Sequence, residues 1–342
     1  MRSNTDSMQL YWFPGYAATR SIFDFTHDVM KIEIPGFQLT PEEANNFSNV
    51  ITLPGGAGYY IIGKSLVDAE FTVVAGSEGL FDSVPEKTAN FVFAPDGDEA
   101  AHLYFMDNDG LHYGHIVRET ALRSSLNSHR LVPLSILPMA NSPLCILGSS
   151  TGDENWLFYI NQQNDVYRLV IVECHTTSIT AYSVIPLSIT AAPVSIEVSR
   201  NQIALVCSNA TLVYGTLSVD GNIMNATLDN HITGLTSGCV QCAFSGDGQT
   251  LFWPTTVAGT HYINFQHRMT GTSVSYPTVG VYTALKCGPD QIIYGLSTTS
   301  RSPSTLLTVT PDNLNGDYSV LEIYSYTNGG YFPSTGWSVY SN

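Results

Sequence analysis

The chain has 342 residues, 44% of them hydrophobic and only 12% charged, about half the charged share of an ordinary globular protein. Its 28 Gly, 17 Pro, 19 Tyr and 15 Phe, with abundant Ser, Thr, Val and Ile, make a strand-forming composition and exclude a disordered one. A net charge of −16, from 29 acids and 13 bases, repels phosphate backbones, so no nucleic-acid partner is expected, and no apolar run approaches the ~18 residues of a membrane span.

The chain opens on three short strand patterns, Gln9–Phe13, Ser21–Phe25 and Val29–Ile34. An insert at 35–50 follows, in which residues 41–49 suit one helical turn. Leu53–Gly58 is glycine-rich, but Tyr59–Ile62 after it is a strand and not a helix, so it is a hairpin and not a phosphate cradle. Phe91–Phe93 then runs through Asp96-Gly97 into His102–Phe105. Asp-Gly supplies the positive φ that a tight hairpin needs. The polar hairpin Asp107–Gly110, a strand carrying Tyr113, an insert at 118–130 and a closing strand at Leu131–Leu134 complete this unit. The pattern returns with Leu144–Ile146, the hairpin Asn161–Asp165, Tyr167 and Thr180–Val184. It returns again at Val198–Asn201 with Ile203–Val206 and Tyr214. The next copies are Cys242–Gly248 with Gln249–Trp253 and Tyr262, then Leu285–Asp290 with Ile292–Tyr294 and Leu307.

The strand centres Phe23, Phe71, Tyr113, Tyr167, Tyr214, Tyr262 and Leu307 are separated by 48, 42, 54, 47, 48 and 45 residues. A period in this range marks a repeat architecture, and four short strands per unit are the blades of a β-propeller. Gly330–Tyr340 is the start of a blade with no remainder. Joined to the N-terminal strands it completes one, which removes two frayed sheet edges. The expectation is a single all-β domain, 1–342, of seven four-stranded antiparallel blades. Six are internal (about 48–85, 88–136, 141–188, 192–232, 238–278 and 280–328). One is composite (1–38 plus 329–342), closing the ring by pairing N- and C-terminal strands.

The turns Phe93-Ala94-Pro95-Asp96-Gly97 and Phe244-Ser245-Gly246-Asp247-Gly248 are similar to the Phe-Ser-Pro-Asp-Gly element of WD40-like and YVTN/lactonase-type propellers. The chain therefore resembles the seven-bladed propeller class. It does not carry the Gly-His and Trp-Asp dipeptides of true WD40 repeats in each blade (Gly-His occurs once, at 114–115, and Trp-Asp nowhere), so the resemblance points to no specific family.

Chemistry has few anchors. No dinucleotide-binding Gly-x-Gly-x-x-Gly follows a strand, and no catalytic residue, cofactor or metal is assigned. Propeller loops carry function, so the irregular hairpins supply binding candidates: Asp107, Asp109, Asn164 and Asp165. His112 and His261 hold the same place in two blades, one residue before the repeated Tyr. They are strand-face residues of the repeat and are kept as binding candidates. Asp107–Gly110 resembles the start of a calcium loop, but the twelfth position is Arg118 instead of Glu, so a polar turn is expected. Cys239 and Cys242 have zinc-knuckle spacing without a second pair. Strand positions three apart point to opposite faces, so these are structural thiols, as are Cys145, Cys174, Cys207 and Cys287. Trp12, Trp156, Trp253 and Trp337 lie in or beside inner strands and suit packing between blades, the sharper alternative being stacking on sugars.

The leading functional expectation is a noncatalytic recognition or scaffold module that binds a protein or other macromolecule through its loop-bearing faces. One alternative is a lactonase-like hydrolase or lyase with its site at the channel mouth. Another is a glycan-binding surface or attachment protein. With only four lysines and many Ser, Thr and Asn, a soluble protein in an extracellular or surface setting is favoured over a cytoplasmic one. Residues 1–7 lack the apolar stretch of a signal peptide.

Overall fold

The computed structural model describes residues 11–12, 21–24, 30–33, 49–53, 58–62, 64–69, 72–84, 91–107, 109–120, 123–148, 155–175, 178–220, 223–288, 291–296, 304–311 and 318–326. Among these residues there is no helix. The strands form two three-stranded and five four-stranded antiparallel sheets, each built in chain order. The three-stranded sheets are β1 (Tyr11–Trp12), β2 (Ser21–Asp24), β3 (Met30–Glu33) and β4 (Asn49–Thr52), β5 (Gly58–Ile62), β6 (Ser65–Asp68). The third sheet is β7 (Phe91–Asp96), β8 (Ala100–Met106), β9 (Leu111–Thr120), β10 (Arg123–Leu131). The fourth is β11 (Leu144–Gly148), β12 (Asn155–Gln163), β13 (Val166–His175), β14 (Ser178–Pro186). The fifth is β15 (Pro193–Ser199), β16 (Gln202–Cys207), β17 (Thr211–Asp220), β18 (Ile223–Thr233). The sixth is β19 (Ala243–Phe244), β20 (Thr250–Val257), β21 (Thr260–His267), β22 (Ser273–Thr278), and the seventh is β23 (Ala284–Cys287), β24 (Ile293–Leu296), β25 (Ser304–Pro311), β26 (Tyr318–Tyr326).

Consecutive sheets meet through their first strands: β1 lies against β4, and β4, β7, β11, β15, β19 and β23 follow in turn. A bridge between Gln241 and Ala284 shows two neighbouring sheets running parallel there. This is a propeller-like arrangement. Residues 329–342, expected to complete the composite blade, lie outside the described residues, as do 41–48 of the helical turn expected at 41–49; Asn49 opens β4 instead.

The sheets are strands because alternate side chains on both faces are apolar. In β12 the run Asn155–Ile160 is buried throughout. Leu157 and Tyr159 pack with Tyr104, Tyr113 and Val170, while Trp156, Phe158 and Ile160 pack with Ile196 and Leu205. Trp156 and Trp253 are both buried and serve packing. Positive φ at Gly97 (74°) and Gly248 (71°) lets the Asp-Gly turns close.

Two details differ from the sequence expectation. The fourth strand of the third sheet is Arg123–Leu131, not 131–134, because the segment read as an insert pairs with the long β9. Residues 72–75 bridge the second sheet to the third. Val73 pairs with Val67, and Ala75 pairs in parallel with Ser125 at the edge of β10.

All six cysteines are free, and all but Cys287 are buried. Cys239 and Cys242 enter one core cluster instead of opposite faces, because 239–242 is irregular backbone with a single bridge at Gln241 and not a regular strand. Burial pushes the Cys239 thiol up to about 12 and Cys242 well above its ordinary value, which keeps both inert.

Polar contacts tie β15, the segment before β19 and β23 together. Gln241 Nε2 donates to Glu197 Oε1 at 2.7 Å, and Lys286 lies close enough to favour the Glu197 charge. Burial nonetheless raises the Glu197 pKa. Glu197, Gln241 and Lys286 are all buried. Lys286→Met is expected to destabilise the fold by roughly 3–5 kcal/mol in urea titration, because it strands a buried carboxyl. A second backbone constraint sits at Gly215, in a β-bulge of β17, where an added Cβ would lie 1.7 Å from the Thr227 carbonyl oxygen. Gly215→Ala is expected to cost roughly 1–3 kcal/mol by the same measurement.

Candidate functional site

In an antiparallel four-stranded sheet, the hairpin between strands two and three opens at the same end as the crossing to the next sheet. The other two hairpins open at the opposite end. All six candidate residues from the sequence sit in or beside second–third hairpins, and so at one kind of end. The third sheet, which carries Asp107, Asp109 and His112, is the one where polar groups assemble.

Asp107 closes its hairpin. Its Oδ1 accepts from the Asp109 and Gly110 backbone N–H groups at 2.8 and 3.2 Å, and its own N–H donates to the Gly110 carbonyl. The Ser83 hydroxyl donates to Oδ2 at 2.5 Å. His112 Nε2 lies 2.9 Å from Oδ1, and His112 Nδ1 lies 3.0 Å from His129 Nε2. Phe105, His112 and His129 stack with centroids 4.7 to 5.8 Å apart. Burial opposes the Asp107 charge, but bonds from Ser83, the Asp109 backbone and His112 outweigh it and hold the carboxyl below its usual range. Desolvation and the adjacent His112 lower the pKa of His129.

These contacts fix the tautomers. An ionised carboxylate only accepts, so His112 carries its proton on Nε2 and accepts at Nδ1. His129 then donates from Nε2, and its Nδ1 holds the lone pair. The outcome is a carboxylate-oriented pair of imidazoles ending in a basic nitrogen on an exposed residue. His129 was missed by the sequence reading because its position depends on a β-bulge. The register of β10 shifts between Leu126 and Ser128. Without that extra residue His129 would face the other side of the sheet.

Asp107 and Asp109 also line a cleft of about 190 Å³, closed by Leu137–Ser142 of the crossing to the fourth sheet. The crossing is pinned to β12: the Tyr159 hydroxyl donates to the Ile136 carbonyl, and Met139 N–H to the Ile160 carbonyl. This cleft is below the ~300 Å³ of an ordinary ligand site.

The remaining candidates have other duties. Asn164 and Asp165 have φ of 52° and 61° and form a two-residue hairpin turn. His261 shares the repeat position of His112, but its Nδ1 meets Thr256 Oγ1 at 2.9 Å. Among the described first-strand residues the charged groups are Asp96, Glu197 and Lys286, of which the last two are buried.

A second polar group lies on the other face of the third sheet, at its opposite end. His115 Nε2 is 2.8 Å from Asp96 Oδ2, His102 Nε2 is 3.9 Å from the same oxygen, and His102 Nδ1 meets the Tyr113 hydroxyl at 3.0 Å. His102 is only 4% exposed. Burial lowers its pKa to about 4, which Asp96 opposes and His115 reinforces.

The sequence matches no protein-family model and no curated protein. Solved structures share its fold. A 6-phosphogluconolactonase candidate from Bacteroides fragilis aligns with a TM-score of 0.56 at 10% identity, over 96% of this chain and 98% of its own. The periplasmic gluconolactonase of Pseudomonas aeruginosa aligns at 0.53 and 10%, over 94% and 97%. A protein from Lactobacillus plantarum aligns at 0.56 and 11%, over 94% and 98%. At such identities the likeness is one of fold, and it places the chain in the propeller class. No helix among the described residues is long and apolar enough to cross a membrane.

The depressed His102 pKa predicts an acid-sensitive fold. The folded value (about 4) lies below the unfolded 6.5, so its contribution is complete above pH 6.5. It is lost as pH falls towards 4, up to ~3 kcal/mol. Urea midpoints measured between pH 7 and 4 should fall in this window, and His102→Gln should flatten that part of the profile.

Proposed function

We propose that this chain is a lactonase-like hydrolase that opens a cyclic sugar ester with water. Its sheets are the blades of a seven-bladed ring, closed where residues 329–342 join 1–38. The observation that carries the activity is the Asp107–His112–His129 array, with its distances of 2.9 and 3.0 Å and its basic end exposed. The two lactonase-type propellers that share the fold over nearly the whole chain support it. This favours the hydrolase over the noncatalytic scaffold expected first.

His129 Nδ1 takes a proton from water as the water oxygen bonds to the lactone carbonyl carbon. Asp107, acting through His112, stabilises the resulting imidazolium. The ring C–O bond then breaks, and the proton passes from His129 to the departing ring oxygen, leaving an open hydroxy acid.

A second reading, a protein-binding propeller, draws on one observation. Val257 and Val279, 60% and 90% exposed, stand at the same end of the sixth sheet. The glycan-binding alternative draws less support, because Trp156 and Trp253 are buried.

The test is acid release from glucono-δ-lactone and its 6-phosphate in a pH-stat. The wild type is expected to exceed spontaneous hydrolysis. His129→Gln should lower kcat by about 10²–10⁴ with little change in KM, while His261→Gln should leave the rate unchanged. A wild-type rate equal to the background on both lactones would sink the hydrolase and leave the protein-binding reading.

A further inference from the structure

We propose that Asp96, His102 and His115 form a binding site for a divalent first-row transition ion of the Zn2+ type, at the end of the third sheet opposite the Asp107 hairpin. The strand register builds it. Ala94 of β7 pairs with His102 of β8, and His102 pairs with His115 of β9. Asp96 lies two residues beyond Ala94, so all three side chains leave the same face of the sheet. Their ligand atoms lie within 4.8 Å of one another. Ligands on a tetrahedral Zn2+ with bonds of about 2.0–2.1 Å stand roughly 3.4 Å apart. The separations of 2.8 and 3.9 Å around Asp96 Oδ2 bracket that value.

The surroundings suit a metal better than a surface ion pair. His102 is held by Tyr113, whose hydroxyl lies 3.0 Å from Nδ1. That contact orients the ring and leaves Nε2 aimed at Asp96, as an outer-shell partner does for a ligating histidine. Tyr113 is itself backed by Arg130, whose guanidinium carbon lies 5.5 Å from the ring centroid. On the open side, Asp96 and His115 have side chains 43% and 26% exposed. An entering ion would thus find two imidazoles, one carboxylate and a position left for water, the donor set of an open zinc site. Five of the six thiols, Cys145, Cys174, Cys207, Cys239 and Cys242, are buried, and Cys287 lies on β23 of the seventh sheet.

The site is separate from the proposed hydrolytic array, and its test needs no substrate. The full chain, stripped with chelator, is titrated with Zn2+ by calorimetry and with Co2+ by visible absorption. One equivalent is expected to bind, with the Co2+ spectrum of a low-coordinate site. Asp96→Asn and His115→Gln change exposed or half-exposed groups, so they should fold with an unaltered melting curve. Each should weaken binding roughly tenfold or more. His112→Gln, on the other face, should leave it unchanged. No stoichiometric binding by the wild type, or binding that survives in the Asp96→Asn, His115→Gln double variant, would overturn the proposal.

Discussion

Every sheet here must be covered on both faces, and the rest of the structure follows from that requirement. A strand such as β16, whose six residues are all buried, has no face to give to water. Each large apolar side chain left wet forfeits about 1.5–3 kcal/mol, so a lone sheet of this composition is not stable. The only cover available is another copy of the same unit. The first strands therefore stack in chain order, and the apolar clusters lie between sheets. The fourth sheet, for example, is shared between one cluster with the third and another with the fifth.

The same requirement decides where polar chemistry is tolerated. Between sheets an ionisable group is kept only with partners, as Glu197 is beside Gln241 and Lys286. At the sheet ends the cover thins, and side chains are half inside. The third sheet uses both of its ends. On one face, Phe105 gives His112 and His129 a flat apolar surface, and Asp107 gives them a fixed charge. On the other, His102 is desolvated but reaches Tyr113 and Asp96. Low dielectric strengthens such contacts and penalises their loss, so the groups stay in fixed geometry.

Much of the fold was legible before any coordinates. The Asp-Gly turns at 96–97 and 247–248 and the recurring Tyr located hairpins and third strands, since turn chemistry and alternation are local properties. The site was less legible. Asp107 and His112 were named from the sequence, the first as a hairpin acid and the second as a repeat residue, but their bond was not. Asp96, His102 and His115 were visible as a turn acid and two histidines; only the pairing of His102 with His115 aligns them. His129 lay in a segment read as an insert, and a single bulge turns it towards His112.

The sequence by itself determined the all-β class, the repeat and the two-faced apolar strands, because these depend on residue type and on spacings shorter than one hairpin. It also placed the cysteines, Trp156 and Trp253 among the packing groups of those strands. Tertiary structure decided which polar residues meet. Those meetings depend on inter-strand register, on one extra residue in β10 and on the burial that neighbouring sheets impose. Such quantities arise between segments tens of residues apart, and no local pattern encodes them.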